Sequence, residues 1–141
     1  QDSTAAGEKA EAAGARWVSY NSDMRAFAPN AFLTAPVWNW GPRYVEIIED
    51  AKAGNYSPTA YWGSMADGIV DLAPIASDVD QSVVDMVMEA KAAIISGDLH
   101  PFTGPINDQD GNQVLGAGEV MDDGAMLGMM FFVEGVIGST G

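Results

Sequence analysis

The stretch Ala31-Phe32-Leu33-Thr34-Ala35-Pro36-Val37-Trp38-Asn39-Trp40-Gly41-Pro42-Arg43-Tyr44-Val45 holds a strand, a loop and the start of a helix in one short run. Residues 31–37 are apolar and read as a strand. Pro36 has no N–H for a ladder, which assigns this strand to an edge or places the proline at its end. Pro42 sits where the first turn of a helix tolerates a missing donor. Behind it, Val45, Ile48 and Ala51 or Lys52 recur at helical spacing, and Gly54 closes the helix. The loop between strand and helix is Trp38-Asn39-Trp40-Gly41.

The same reading extends to both sides. Residues 4–13 are Ala-rich with Glu8, Lys9 and Glu11, a helix pattern with Ser3 or Thr4 as N-cap and Gly14 as stop. Residues 16–20 read as a strand, followed by the polar loop Asn21-Ser22-Asp23. Downstream, residues 59–62 and 69–73 read as strands around the glycine-flanked turn at residues 63–68. Ser77 or Asp78 caps the longest helix, residues 79–96, whose apolar positions include Val83, Val84, Val87, Met88, Ala92 and Ile95. Residues 102–106 read as a strand, residues 107–112 as a hairpin-type turn, and the Met- and Phe-rich residues 122–137 as a last helix. This alternation predicts an α/β layer structure with a mostly parallel sheet flanked by helices. An α/β domain usually opens with a strand that feeds the right-handed crossover. This chain opens on a polar loop and a helix, the pattern left by a cut after a first strand.

Composition narrows the function. The 141 residues carry 6 Lys+Arg against 20 Asp+Glu, a formal net charge of −14. Such a chain lacks the clustered cations that nucleic acid and anionic membrane surfaces require. With 48% hydrophobic residues it has the material for a core. Cysteine is absent, which excludes disulfide scaffolds, thiolate-bound metals and thiol catalysis. No apolar run is long enough to span a bilayer, so no direct membrane insertion of this chain is expected. The first residues are polar and lack the basic and apolar regions of a secretion signal.

Chemistry-bearing residues gather in loops that follow strands: Asn21-Ser22-Asp23, Trp38-Asn39-Trp40, and Trp62-Gly63-Ser64-Met65-Ala66-Asp67-Gly68. Open parallel sheets bind ligands at the carboxyl ends of their strands. Tryptophan offers a flat apolar face, while Asp and Asn accept hydrogen bonds from ligand N–H or O–H groups. Together they suit a flat, polar-edged ligand such as a purine or nucleoside. Trp17, inside a strand, reads as core instead. Asp108-Gln109-Asp110-Gly111 resembles part of a calcium loop. Aligned on Gly111, however, that loop has Ile106 at the first ligand position and Ala117 where the bidentate Glu belongs, so the segment reads as a turn. His100 is the single histidine, which makes neither a metal cluster nor a Ser–His pair. Asp78, Asp80 and Asp85 read as capping and dipole partners of a helix start.

Three ordered blocks resemble the basic membrane protein family, the substrate-binding proteins of bacterial ABC importers that include purine nucleoside receptors. They are residues 35–42 (APVWNWGP), residues 61–74 (YWGSMADGIVDLAP) and residues 91–105 (KAAIISGDLHPFTGP), with residues 132–138 (FVEGVIG) extending the likeness to the end of the chain. The resemblance implies a type I periplasmic-binding-protein-like fold, two hinged α/β lobes closing on a ligand, of which this chain is the C-terminal half. It implies a second-lobe core over about residues 1–75, then the long helix, crossover strands and C-terminal helix over about residues 76–141. Ligand-facing positions implied in this way are Asp2, Ser3, Asn21, Ser22, Asp23, Trp38, Asn39, Trp40, Met65 and Asp67, to which the loop reading adds Trp62. Asn21 departs from the Asp-Ser-Asp-like run of the nucleoside receptors. Trp38-Asn39-Trp40 replaces a segment that is often basic there, which points to a bare base or a differently held nucleoside.

The expected function is therefore solute binding without catalysis or cofactor, with ABC permease subunits as partners outside the cytoplasmic membrane. Two other readings fit the same residues. One is a nucleoside hydrolase or lyase with Asp23 and Asp67 as acid and base. The other is the effector-sensing domain of a transcription regulator.

Overall fold

The computed structural model describes residues 3–139. Its chain divides into two compact units, Gln1–Lys91 and Ala92–Gly141.

The first unit opens with helix α1 (Ala5–Ala12). Thr4 is its N-cap residue, while the Ser3 hydroxyl accepts the Ala5 N–H at 3.1 Å. Strand β1 (Trp17–Val18) pairs in parallel with β2 (Phe32–Thr34). After Ala35 the chain continues as β3 (Pro36–Trp38), which pairs antiparallel with β4 (Val70–Leu72). The break at Ala35 does not end the extended backbone. Thr34 O accepts from Ser19 N, while Leu33 O and Ala35 O accept from Ala76 N and Ala73 N. One extended segment therefore carries β1 along its first half and β4 along its second.

Helix α2 (Gly41–Ala53) follows, with Pro42 in its first turn and Gly54 at φ 74° as its left-handed C-cap. The sequence places both ends of this helix, because a ring-fixed φ starts it and a residue free of Cβ strain stops it. Helix α3 (Gln81–Ser96) begins two residues later than the sequence suggests. Asp78 does not cap it and instead grips Arg16 through two hydrogen bonds of 2.7 and 2.9 Å.

In the second unit, β5 (Ile106–Asn107) and β6 (Gln113–Leu115) form an antiparallel hairpin. Asp108 closes it by accepting the N–H groups of Asp110 and Asn112, each at 2.9 Å. Thr103 pairs with Val120 in an isolated bridge. Helix α4 (Asp123–Leu127) is capped by Asp122, whose side chain accepts from Ala125 N.

Three expectations are corrected here. The sheet is not mostly parallel: among the described residues there are three two-stranded sheets, of which one is parallel. Alternating helices and strands suggest parallel crossovers, but the chain returns from α2 antiparallel to β3, and β5–β6 is a hairpin. Residues 59–62 form no strand: they join no backbone ladder, and Tyr61 stands against Trp40 instead. The last helix covers only Asp123–Leu127, ending at Gly128, and Gly135 and Gly138 then hold positive φ.

The core is small: Phe32, Ala35 and Ala73, with Val37 packed against them. Trp17 is half-buried and lies against Gly7, where any Cβ would collide with the indole. Helices α2 and α3 bury no residue. The chain exposes 9656 Å², whereas two separate compact bodies of these lengths would expose about 8,300 Å². Apolar side chains such as Ile48 and Met86 account for part of the excess, at 58% and 69% exposed.

Candidate functional site

Because β1 and β2 are parallel and β4 runs against β3, the segments after β1 and β3 and the one before β4 leave the strands in the same direction: residues 19–23, 39–40 and 64–69. Asn39 N donates to Ile69 O at 2.7 Å, so pairing continues one residue past β3. Trp40 is already the N-cap residue of α2, with helical backbone angles. Trp38 and Trp40 stack, with ring centroids 6.3 Å apart and planes at 29°. Tyr44, one helical turn on, stacks on Trp40 at 6.2 Å and 17°. Tyr61 stands edge-on to Trp40 at 6.4 Å and 63°.

Trp38, Trp40 and Tyr61 line a cleft of about 390 Å³ together with Trp62, Gly63, Ile69 and Val70. That volume lies at the small end of ligand pockets. Trp38 is 45% exposed and Trp62 60%. Aromatic pairs of this kind each contribute about 0.5–1.5 kcal/mol beyond their burial, so the cluster is ordered while its outer faces stay open. Arg43 covers the Tyr61 ring, its guanidinium carbon 4.5 Å from the ring centroid.

The structure brings together Trp38, Trp40 and Trp62 and does not bring Asp23 or Asp67 into the cleft lining. Asp23 binds Arg25, whose Nε lies 2.9 Å from both carboxylate oxygens. That guanidinium holds the Asp23 carboxyl below its usual range. Arg25 also reaches Pro74 O and covers the Phe32 ring, which draws the pair toward the core. Asp67 accepts the Ser64 hydroxyl at 2.7 Å and its N–H at 2.8 Å, which lowers its pKa and closes the turn. Asn21 sits at φ 60°, a left-handed position that asparagine tolerates well, and Ser22 O accepts the Ser19 hydroxyl. Ser3 is engaged at α1, the Met65 carbonyl accepts Gly68 N, and the exposed Asn39 contributes its backbone N–H to β4. Asp2 lies outside the described residues.

Tyr61 lines the cleft while Tyr44 and Arg43 pack against its rings, and none of the three was legible in these places. Tyr44 had a signal, since it lies four residues after Trp40 and helix neighbours meet at that spacing. Tyr61 had none, because its segment reads as a strand.

No protein-family model matches the chain. Over 135 residues it is 43% identical to a purine-binding protein of Brucella abortus (strain 2308), covering 96% of this chain and 38% of that protein. It is 30% identical over 138 residues to a Haloferax volcanii protein named as an ABC transporter glucose-binding protein, covering 98% of this chain and 33% of the other. The chain is homologous to part of such solute-binding proteins. The resemblance drawn from the ordered sequence blocks is borne out at this level. The chain spans about a third of the length of the curated relatives it matches. Among solved structures, it shares its fold with a transcriptional activator of the comK gene from Bacillus halodurans. That match has a TM-score of 0.58 at 21% identity, over 67% of this chain and 34% of the other.

Proposed function

We propose that this chain is part of the solute-binding component of an ABC importer, in the basic membrane protein family, and that its aromatic cleft takes the flat ring of a purine base or nucleoside. The observation that carries this reading is the cleft itself: three tryptophans and a tyrosine, each more than a third exposed, facing one small space. Stacking a base on such a ring is worth about 1–3 kcal/mol. A sugar needs a partner for each hydroxyl, and the side chains lining this space offer only indole N–H groups and one phenol. The purine-binding relative is also the more similar of the two, at 43% against 30% identity.

The cleft is open on one side, and the type I reading supplies a second lobe as its other wall. Closure of the two lobes would then report the loaded state to a permease outside the cytoplasmic membrane. The hydrolase alternative is disfavoured on chemical grounds. Asp23 is engaged by Arg25 and Asp67 by Ser64, and neither carboxylate lines the cleft where a reacting bond would sit. The shared fold with a transcriptional activator concerns architecture alone.

Titrating the chain with adenine, guanosine and glucose while following tryptophan emission tests the proposal. A saturable response to a purine and none to glucose supports it. A response to glucose alone, or to none of the three, overturns it.

A further inference from the structure

We infer that Arg43 is a positioning residue of the aromatic cleft: gripped by Glu46, it holds the Tyr61 ring edge-on to Trp40 and so fixes the wall against which a planar ligand stacks. The ligand in this statement rests on the proposed function; the geometry does not.

Tyr61 needs such a support. Among the described residues, 56–63 make no backbone hydrogen bond, so no ladder or turn fixes this segment. Its rings are placed by side-chain contacts alone. On one side the absence of a Cβ at Gly63 makes room, since an added Cβ there would lie 2.7 Å from Tyr61 Cε1 and Oη. At its edge stands Trp40. Over the ring lies the Arg43 guanidinium.

Arg43 is placed as no ordinary surface arginine is. A long cationic side chain on a helix normally keeps its head in water. Here the side chain is only 18% exposed, and Nη1 is anchored to Glu46 Oε2 at 2.7 Å, one turn along α2. Its Nε is buried and has no hydrogen-bond acceptor among the described residues. The Glu46 contact holds Nη1 and leaves Nε without an acceptor, so hydrogen bonding alone does not account for the burial of Nε. The Tyr61 π-face, which attracts a cation, does. Glu46, Arg43 and Tyr61 thus form a brace that ends on Trp40, the ring at the centre of the cleft.

The experiment is a double-mutant cycle read by the exciton couplet that the Trp38–Trp40 pair contributes to the far-ultraviolet circular dichroism. It needs no ligand. Arg43→Met and Tyr61→Ala are each expected to reduce the couplet, and the double variant to reduce it no further than Tyr61→Ala alone. Arg43→Lys, which keeps a cation near the ring, should retain part of the signal, and Glu46→Gln should lose part of it. Arg16→Met, which removes an ion pair with Asp78 away from the cleft, should leave it unchanged. In parallel, Arg43→Met should weaken adenine binding about fivefold. Additive losses in the cycle, or an Arg43→Met couplet equal to wild type, would overturn the brace. A wild-type chain that ignores adenine while the cycle behaves as stated refutes the purine ligand and leaves the brace supported.

Discussion

Gly63→Ala is a small change with a calculable consequence. Gly63 is not among the glycines with positive φ, so alanine suits its backbone. The substitution removes freedom from the unfolded chain, a gain of about 0.4–1 kcal/mol. Against this, the new Cβ would stand 2.7 Å from Tyr61 Cε1 and Oη and 2.9 Å from Cζ. Carbon atoms prefer about 3.5–4.0 Å, so the ring must retreat by roughly 1 Å. Overpacking costs about 1–3 kcal/mol in a tight core, and Tyr61, 38% exposed, belongs at the lower end. The two effects nearly cancel, and stability should change by less than about 1 kcal/mol. The cleft should not escape, because the retreating ring is the one set edge-on to Trp40. Losing one aromatic contact worth about 1 kcal/mol weakens adenine binding about fivefold. Gly54→Ala provides the contrast. Gly54 has φ 74° with nothing within 4 Å of an added Cβ, so alanine there costs roughly 1–2 kcal/mol of stability and leaves the cleft alone. Urea unfolding and adenine titration of both variants should show opposite patterns. If Gly63→Ala loses stability as Gly54→Ala does and binds adenine like wild type, the packing argument is wrong.

Salt should stabilise this protein: at net charge −14, screening relieves more repulsion than it removes from the four ion pairs among the described residues. Thermal melts from low salt to about 1 M NaCl should rise by about 4 °C for each kcal/mol relieved, and a falling Tm would refute this. Acid should unfold it, because Asp23, Asp67, Asp71, Asp78 and Asp108 all titrate below their usual range, each chiefly through a side-chain hydrogen bond, to Arg25, Ser64, Lys91, Arg16 and Asn112. A lowered folded pKa contributes stability above the unfolded value of about 3.9 and loses it as pH falls through the folded one. Equilibrium unfolding from pH 6 to pH 2 should therefore show the loss below about pH 4, and a flat profile there would contradict it. On its own the chain should bind adenine more weakly than about 1 μM, or −8 kcal/mol, and should self-associate through faces such as Ile48 and Met86. Calorimetry and sedimentation check both, and tight binding by a monomer would show a complete cleft.

The loop-to-helix part of the unit from Phe32 to Gly54 was legible because both helix ends have a local cause: Pro42 lacks a donor, and Gly54 accepts a left-handed turn. The hairpin at Asp108 was legible for the same reason. Strand direction was not, since the return of β4 against β3 is decided by packing that no local residue encodes. Residues 59–62 misled because aromatic side chains favour strands and exposed clusters alike. At the site, the i,i+2 pair Trp38 and Trp40 announced itself. Asp23 and Asp67 carry an equally suggestive loop signal, yet their carboxylates are engaged by Arg25 and by Ser64. Short-range partners of this kind are visible only once the backbone is in place.

The central claim is that exposed tryptophans around one cleft bind a planar ligand, and the chain carries its own control. Of its four tryptophans, Trp38, Trp40 and Trp62 line the cleft, while Trp17 lies against Gly7 in α1. Assigned indole N–H resonances followed through an adenine titration test the claim residue by residue, even at millimolar affinity. The account predicts saturable shifts at Trp38, Trp40 and Trp62 with a common dissociation constant and none at Trp17. Shifts at Trp17 alone, equal shifts at all four, or no shift at the three cleft residues would contradict it.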